Sequence, residues 1–296
     1  MADPGTPPQR VMVLGLGFSG MAIATHLHRQ GVEVHGTVRA PRSAELQGIR
    51  VHALVSGQRP DAALLAALAN TDAVVCSVPP DAHGDPALRL LADALSASES
   101  VRWVGYLSST AVYADRAGGW VDETSAADAQ GPSAEARLLA ESQWRAFAAA
   151  RGCGSAVLRL PGLYGRGRNA LLQLAQGRAR HVLRPGLKFN RLHVEDLASA
   201  VCAAMHRPDA TALYLPADDE PAPPQDVLAF AAALSGRALP PAQAWDDPTL
   251  SESLRRFYAS NKRVDSRATR GTLQWRPRFA SYREGLQDAW DAGDGR

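Results

Sequence analysis

The sequence predicts an α/β fold, a doubly wound parallel sheet with helices on both faces and a smaller lobe late in the chain. Three observations predict it. From residue 11 onward, short apolar runs alternate with helix-like stretches, the pattern of a parallel sheet rather than of hairpins. A glycine-rich turn joins the first run to the first helix. After Pro161 the alternation becomes irregular, and Pro221, Pro223, Pro224, Pro240 and Pro241 punctuate the last third.

Each element follows from its residues. Val11–Leu14 is apolar throughout and reads as a strand buried on both faces. Met21–Gln30 reads as a helix stopped by Gly31. Val32–Val38 and Ile49–Leu54 are the second and third strands, and the Ala- and Leu-rich stretch Asp61–Ala69 is a helix. Ala73–Val78 is a fourth strand ended by Pro79 and Pro80. Pro86–Leu95 is a helix, Val101–Leu107 a fifth strand, Ser133–Arg151 a long helix and Ala156–Leu160 a sixth strand. Right-handed crossovers then give the doubly wound arrangement.

Composition narrows the function. With 296 residues, 46% hydrophobic and 21% charged, the chain holds enough apolar material for a sizeable core. Lysine occurs only at Lys188 and Lys262 among 32 basic residues, and no GxxxxGK[ST] motif exists, so lysine-dependent phosphate loops are excluded. Cys76, Cys153 and Cys202 form no CxxC pair and no zinc spacing, so they read as structural thiols and no metal site is expected. A net charge of +2 does not point to nucleic acid. The densest basic stretch, Arg255, Arg256, Lys262 and Arg263, reads as a solvent-facing helix end. No run reaches membrane-span length, and the polar, proline-bearing start is not a signal peptide. A cytoplasmic protein without a membrane partner is expected.

The glycine turn carries the first functional signal. In Gly15-Leu-Gly17-Phe18-Ser19-Gly20, Gly15 permits the tight turn, Gly17 lets backbone approach a pyrophosphate, and Gly20 allows close helix–strand packing. The following helix end supplies free N–H groups. This is a Rossmann-type dinucleotide fingerprint, and Phe18 and Ser19 fall inside it. The second strand ends in Thr37 and Arg39, with Arg42 behind and no carboxylate. Arginine there suits a 2′-phosphate, so NADP(H) is expected over NAD(H). Ser77, Val78 and Pro79, closing the fourth strand, complete the expected cofactor wall. The expected organisation is a disordered start over residues 1–9, a dinucleotide-binding domain over 10–165 to which 188–215 return, and a substrate-side lobe from 166–187 and 216–296.

Five segments in order resemble one family. They are Gly15–Gly20, Ser108-Ser109-Thr110-Ala111-Val112-Tyr113, Pro161-Gly162-Leu163-Tyr164-Gly165, His193-Val194-Glu195-Asp196-Leu197-Ala198, and Asn261-Lys262-Arg263 followed by Leu273-Gln274-Trp275. Together they resemble the extended short-chain dehydrogenase/reductases, the NAD-dependent epimerase/dehydratase superfamily, from about Val11 to Trp290. The resemblance implies that Ser109 bonds a substrate oxygen or nitrogen. It also implies a Tyr-x-x-x-Lys pair on the long helix, but those positions hold Ser133 and Arg137. The chain therefore looks like an atypical member. Serine is a poor acid, and guanidinium cannot shuttle a proton. Arg137 remains a candidate for ribose or phosphate, with a solvent-facing position as its alternative. Ser133 remains a catalytic candidate, with a helix N-cap as its alternative. The literal Tyr258-x-x-x-Lys262 lies in the late lobe and reads as coincidence.

Tyr113 and His193 are the candidates to replace the tyrosine, against a buried aromatic and a surface or capping histidine. Tyr164, in the Pro-Gly-Leu-Tyr-Gly turn, is a further candidate proton donor with a buried aromatic as its alternative, and Asp196 reads as orienting a loop or capping a helix. Dehydration is disfavoured because Thr110 and Ala111 stand where dehydratases carry Asp-Glu. The expected activity is an NADP(H)-dependent oxidoreductase reducing a small carbonyl or imine. A sugar-nucleotide epimerase-like enzyme with relocated acid and base, or an inactive NADP-binding protein, is the alternative. Monomer and homodimer both remain open. Family dimers use the helices equivalent to Pro86–Leu95 and Ser133–Arg151, and the second carries Leu138, Leu139, Trp144 and Phe147.

Overall fold

The computed structural model describes residues 7–207 and 211–296. Its centre is an eight-stranded sheet built from β1 (Arg10–Leu14), β2 (Glu33–Val38), β3 (Glu45–Leu46), β4 (Ile49–Ala53), β5 (Ala73–Cys76), β6 (Trp103–Ser109), β8 (Gly154–Leu160) and β12 (Thr211–Tyr214). The spatial order is β12-β8-β6-β5-β1-β2-β4-β3. Every pairing is parallel except that of β3 with β4. Strand order reverses at β1, which lies between β2 and β5, so a crevice opens there at the carboxyl ends. The short β3 was not legible as a strand. It folds back through Gln47 and Gly48, both at positive φ (53° and 81°), a two-residue hairpin turn.

Helices cover both faces. α1 (Phe18–Arg29) and α6 (Val194–Met205) lie on one; α2 (Ala62–Ala69), α3 (Pro86–Ala97) and α4 (Pro132–Arg151) lie on the other. Strand alternation divides the core between them. Val11 and Val13 pack with Ile23, Leu27, Leu197 and Val201, while Met12 and Leu14 pack with Leu64, Leu91, Tyr106 and Trp144. Hence the central strands read as uninterrupted apolar runs. α1 begins three residues before the expected Met21, because Gly20 tolerates the close backbone approach described below. In α4, Trp144 is core, Leu138 packs near Tyr113, and Leu139 is exposed.

One buried carboxylate ties three of these elements. Asp85 Oδ1 accepts the amides of Ala87 (2.8 Å) and Leu88 (2.9 Å), capping α3. Its Oδ2 accepts from Trp144 Nε1 (2.8 Å) on α4 and from the Cys76 thiol (3.0 Å) on β5. Burial and this carboxylate push the Cys76 thiol pKa up, so it is an inert donor. All three cysteines are free.

The later chain forms three two-stranded parallel pairs. β9 (Gly162–Tyr164) pairs with β11 (Arg191–His193), β10 (His181–Leu183) with β13 (Ala242–Ala244), and β7 (Trp120–Val121) with β14 (Arg263–Val264). α5 (Ala170–Ala175), α7 (Pro224–Ser235) and α10 (Tyr282–Asp291) share a separate apolar cluster. α8 (Glu252–Ala259) and α9 (Arg267–Leu273) flank β14. At the start, residues 1–6 lie outside the described residues. Gln9, expected to be disordered, is held: its amide donates to Asp72 Oδ2 (2.8 Å) and its carbonyl accepts from the Glu33 amide (2.9 Å). Two residues of the basic stretch, Lys262 and Arg263, lie beyond α8 and are not a solvent-facing helix end. Lys262 is buried, and Arg263 donates to the Gly118 carbonyl (2.6 Å) over the Trp120 ring. No helix among the described residues is long and apolar enough to cross a membrane.

Replacing Asp85 by alanine leaves two helix amides and the Trp144 indole N–H without their acceptor. The expected loss is about 2–4 kcal/mol in urea unfolding, and a loss below about 0.5 kcal/mol would refute this role.

Candidate active site

The glycine turn is fixed from both sides. Gly15 takes φ +92°, its amide donates to Thr37 Oγ1 (2.9 Å), and the Leu16 amide donates to the Thr37 carbonyl (2.8 Å). From β5, the Ser77 hydroxyl donates to the Gly15 carbonyl (2.5 Å). A Cβ on Gly20 would sit 2.0 Å from the Gly15 carbonyl oxygen, so only glycine fits. A Cβ on Gly17 would meet nothing within 4 Å. Gly17 is also the N-cap of α1, with no side-chain cap and no acid in the first turn. Unsatisfied N–H groups and the positive helix end therefore face an open space, which fits a pyrophosphate. Ser77 and Val78 brace this turn, and Pro79 follows them at the surface. Arg39 and Arg42 are exposed just past the end of β2. Arg168 lies over the Phe18 ring, 5.3 Å from its centroid, and Ser19 is in the first turn of α1.

The carboxyl end of β6 borders a cavity of about 690 Å³. Ser109, Tyr113 and Ser133 line it, and so do Lys188 and Lys262. Ser109 ends β6, and its Oγ accepts from the Ala111 amide (3.1 Å), which starts a short 3-10 turn over Thr110–Val112. Ser133 is exposed in the first turn of α4, but the N-cap is Gly131, at φ 89°. Arg137 is half-buried rather than solvent-facing, and its Nη1 donates to the Leu107 carbonyl (3.3 Å) on β6.

A buried polar network lies behind this wall. Arg159 on β8 grips Glu141 of α4 through two bonds, Nε to Oε1 (3.0 Å) and Nη2 to Oε2 (2.8 Å). Ser108 donates to Glu141 Oε1 (2.5 Å). Arg159 Nη1 donates to the Tyr113 hydroxyl (2.9 Å), which itself donates to the Asp122 carbonyl (3.0 Å). Tyr113 is 1% exposed, and burial pushes its pKa up. Its ring borders the cavity, but its proton rests on a backbone carbonyl. The geometry thus gives Tyr113 a structural task.

His193 does not reach the cavity. It is fully buried between Tyr164 (centroids 5.2 Å) and Phe279 (3.9 Å), and its Nδ1 accepts from the Glu195 amide (3.3 Å) as the N-cap of α6. Burial pushes its pKa down to about 4, so it is neutral at physiological pH. Asp196 holds the amides of Arg278 (2.7 Å) and Phe279 (3.0 Å), with burial raising its pKa to about 6. The Tyr164 hydroxyl donates to the Ser281 carbonyl (3.0 Å). These groups fasten α6 and β9 to the C-terminal segment.

The profile of the NAD dependent epimerase/dehydratase family matches residues 11–214. The chain belongs to this family. Among solved structures it is similar to a functionally unknown conserved protein from Silicibacter pomeroyi, at 37% identity and TM-score 0.86, covering 98% of this chain and 100% of that one. UDP-glucuronic acid 4-epimerase from Bacillus cereus, solved with NAD, shares the fold at 16% identity and TM-score 0.75, covering 95% and 97%. The human epimerase family protein SDR39U1, solved with NADPH, does so at 18% identity and TM-score 0.71, covering 95% and 99%. Comparison with curated proteins gives no match.

In this epimerase/dehydratase family member, sequence reasoning missed two residues of the cavity wall, Lys188 and Lys262. Lys262 is 8% exposed, its Nζ donates to the Ser260 hydroxyl, and burial lowers its pKa to about 8. The only advance signal was the scarcity of lysine. Tyr258 is indeed no partner for Lys262. Its ring packs with Val182, Leu187 and Leu250, and α8 ends at Ala259, so the four-residue helical spacing is broken.

Removing Glu141 leaves the Arg159 guanidinium buried without a counter-charge. Glu141→Ala is expected to cost about 3–5 kcal/mol in denaturant unfolding, whereas the apolar double replacement Glu141→Leu with Arg159→Met costs less. Equal losses in the two variants would count against the pair.

Proposed function

We propose that this protein is an NADP(H)-dependent oxidoreductase that reduces a small carbonyl or imine compound. One observation carries the reading. The open cradle at Gly17 and the cavity at Ser109 lie along the same carboxyl edge of one sheet, at the ends of β1 and β6. The family membership and the likeness to NAD- and NADPH-bound structures support it.

Gly15, Gly17 and Gly20, with Phe18 and Ser19, would hold the pyrophosphate against the α1 amides. Arg39 and Arg42 would meet the 2′-phosphate. Ser77, Val78 and Pro79 would form the floor behind the cofactor. Arg137, already turned toward β6, would take a ribose hydroxyl. The bound nicotinamide supplies hydride.

Ser109 would donate a hydrogen bond to the acceptor oxygen or nitrogen and fix its plane. Ser133, across the cavity, would order the substrate or a water that protonates a product alkoxide. An iminium acceptor needs no such proton, which is why an imine suits a site whose tyrosine position holds serine. Tyr113 and His193 act by shaping the wall and the α6 junction.

Two variants test the cofactor half. Gly17→Ala places a methyl in empty space, so stability should change by no more than about 0.5 kcal/mol. The same methyl would obstruct the pyrophosphate, so fluorescence titration should show dinucleotide affinity falling at least ~tenfold. Unchanged affinity would reduce the motif to a glycine-rich turn. Arg39→Ala should weaken NADPH roughly tenfold or more and leave NADH nearly unaffected. Parallel losses for both cofactors would overturn the NADP(H) preference.

A further inference from the structure

The chain has two lysines, and both border the same cavity. They come from distant segments that are stitched together. The Lys188 amide donates to Asn261 Oδ1 (2.8 Å), and Asn261 Nδ2 donates to the Gly186 carbonyl (3.1 Å). In return, Asn190 Nδ2 donates to the Lys262 carbonyl (2.8 Å), and Asn190 Oδ1 accepts the Val264 amide (2.8 Å). Both asparagines are buried. The two lysine backbones are therefore placed by a built polar junction, not by chance crossing of loops.

Their charges are unusual for this protein. Among the described residues, the ion pairs are made by arginine and by one histidine, and none by lysine. Asp115, the acid on the cavity wall, uses Oδ1 to accept the Asn261 amide (2.6 Å). Lys262 Nζ has a neutral hydroxyl partner. Asp115 and Asp128 act on this ammonium electrostatically, with the Arg116 guanidinium opposing them, but neither carboxylate pairs with it directly, and a bound anion would offset the cost of its burial. Beside the lysines, Phe189 and Phe257 meet at 4.8 Å between centroids, and Phe257 is 45% exposed.

We propose that this cavity takes an anionic substrate with an apolar body, its carboxylate or phosphate held by Lys188 and Lys262 and its body against Phe189 and Phe257. The inference rests on the oxidoreductase reading for what happens to the substrate, but not for its binding. The reacting carbonyl or imine would then lie toward Ser109, and the anion at the opposite wall would set the orientation.

Two lysines make the test direct, because amine modification followed by mass spectrometry reads each one separately. The full-length protein with NADP⁺ is acetylated with a succinimidyl ester, without added reductant, in the presence of phenylpyruvate, its methyl ester or phenyl phosphate. At least one anion should slow modification of both lysines roughly tenfold, and the neutral ester should not. Protection by phenylpyruvate alone assigns a carboxylate, and protection by phenyl phosphate alone assigns a phosphate. Equal protection by the ester, or none by either anion, overturns the proposal. Lys188→Gln and Lys262→Gln should each raise the dissociation constant of the protecting anion about tenfold. Lys262→Arg should restore part of it if the charge is what binds. Should a glutamine variant fail to fold, the wild-type labelling decides alone. Lysine protection without NADPH oxidation by any carbonyl or imine compound sustains the anion site and sinks the oxidoreductase reading, so the two fail separately.

Discussion

A parallel strand cannot be joined to its neighbour by a tight turn, so each must be followed by a crossover that returns the chain to the same starting edge. The placement of the glycine turn and of Ser109 follows from that constraint. The loops leaving β1, β2, β5 and β6 all emerge on one edge, and the reversal of strand order at β1 parts them into a crevice. The glycine turn, the two exposed arginines, the Ser77 brace and Ser109 then become neighbours, although they span much of the first hundred residues. Helices on both faces keep that edge rigid. Asp85 and the Glu141–Arg159 pair lock α3 and α4 against β5, β6 and β8.

Such locking explains which polar residues are tied into the frame. Tyr113 and His193 belong to segments that commonly lie near a substrate, and both carry chemically useful groups. Backbone engages one polar atom of each: the Asp122 carbonyl takes the tyrosine proton, and the Glu195 amide takes the Nδ1 lone pair, while His193 Nε2 is buried without a partner. Ser109 and Ser133 line the cavity, the Ser109 Oγ also accepting the Ala111 amide, and Arg137 reaches across to β6.

The sheet, its helices and the dinucleotide turn were legible in the sequence because they depend on local pattern. Apolar runs of strand length, prolines at helix starts and glycines at fixed offsets report their own geometry. The place of Arg39 just past the end of β2 was legible in the same way. Illegible were the features that depend on pairing over long separations. No periodicity places Lys262 beside Ser109, because that proximity comes from β14 joining β7 and from Asn190 and Asn261 exchanging bonds between two loops. The N-cap of α4 also shifted from Ser133 to Gly131, since Pro132 suits the first helical position and the turn ahead of it needs a positive φ.

The pairing of β14 with β7 has a further meaning for how the molecule is assembled. The glycine turn and its braces at Thr37 and Ser77 lie within residues 10–79, all of them early in synthesis and close in sequence. The cavity gains its far wall only when Arg263 and Val264 settle beside Trp120 and Val121, after most of the chain has left the ribosome. One half of the site thus rests on pairings close in sequence and the other on a long-range pairing. Damage to the last segment would spare the glycine turn while removing one wall of the cavity.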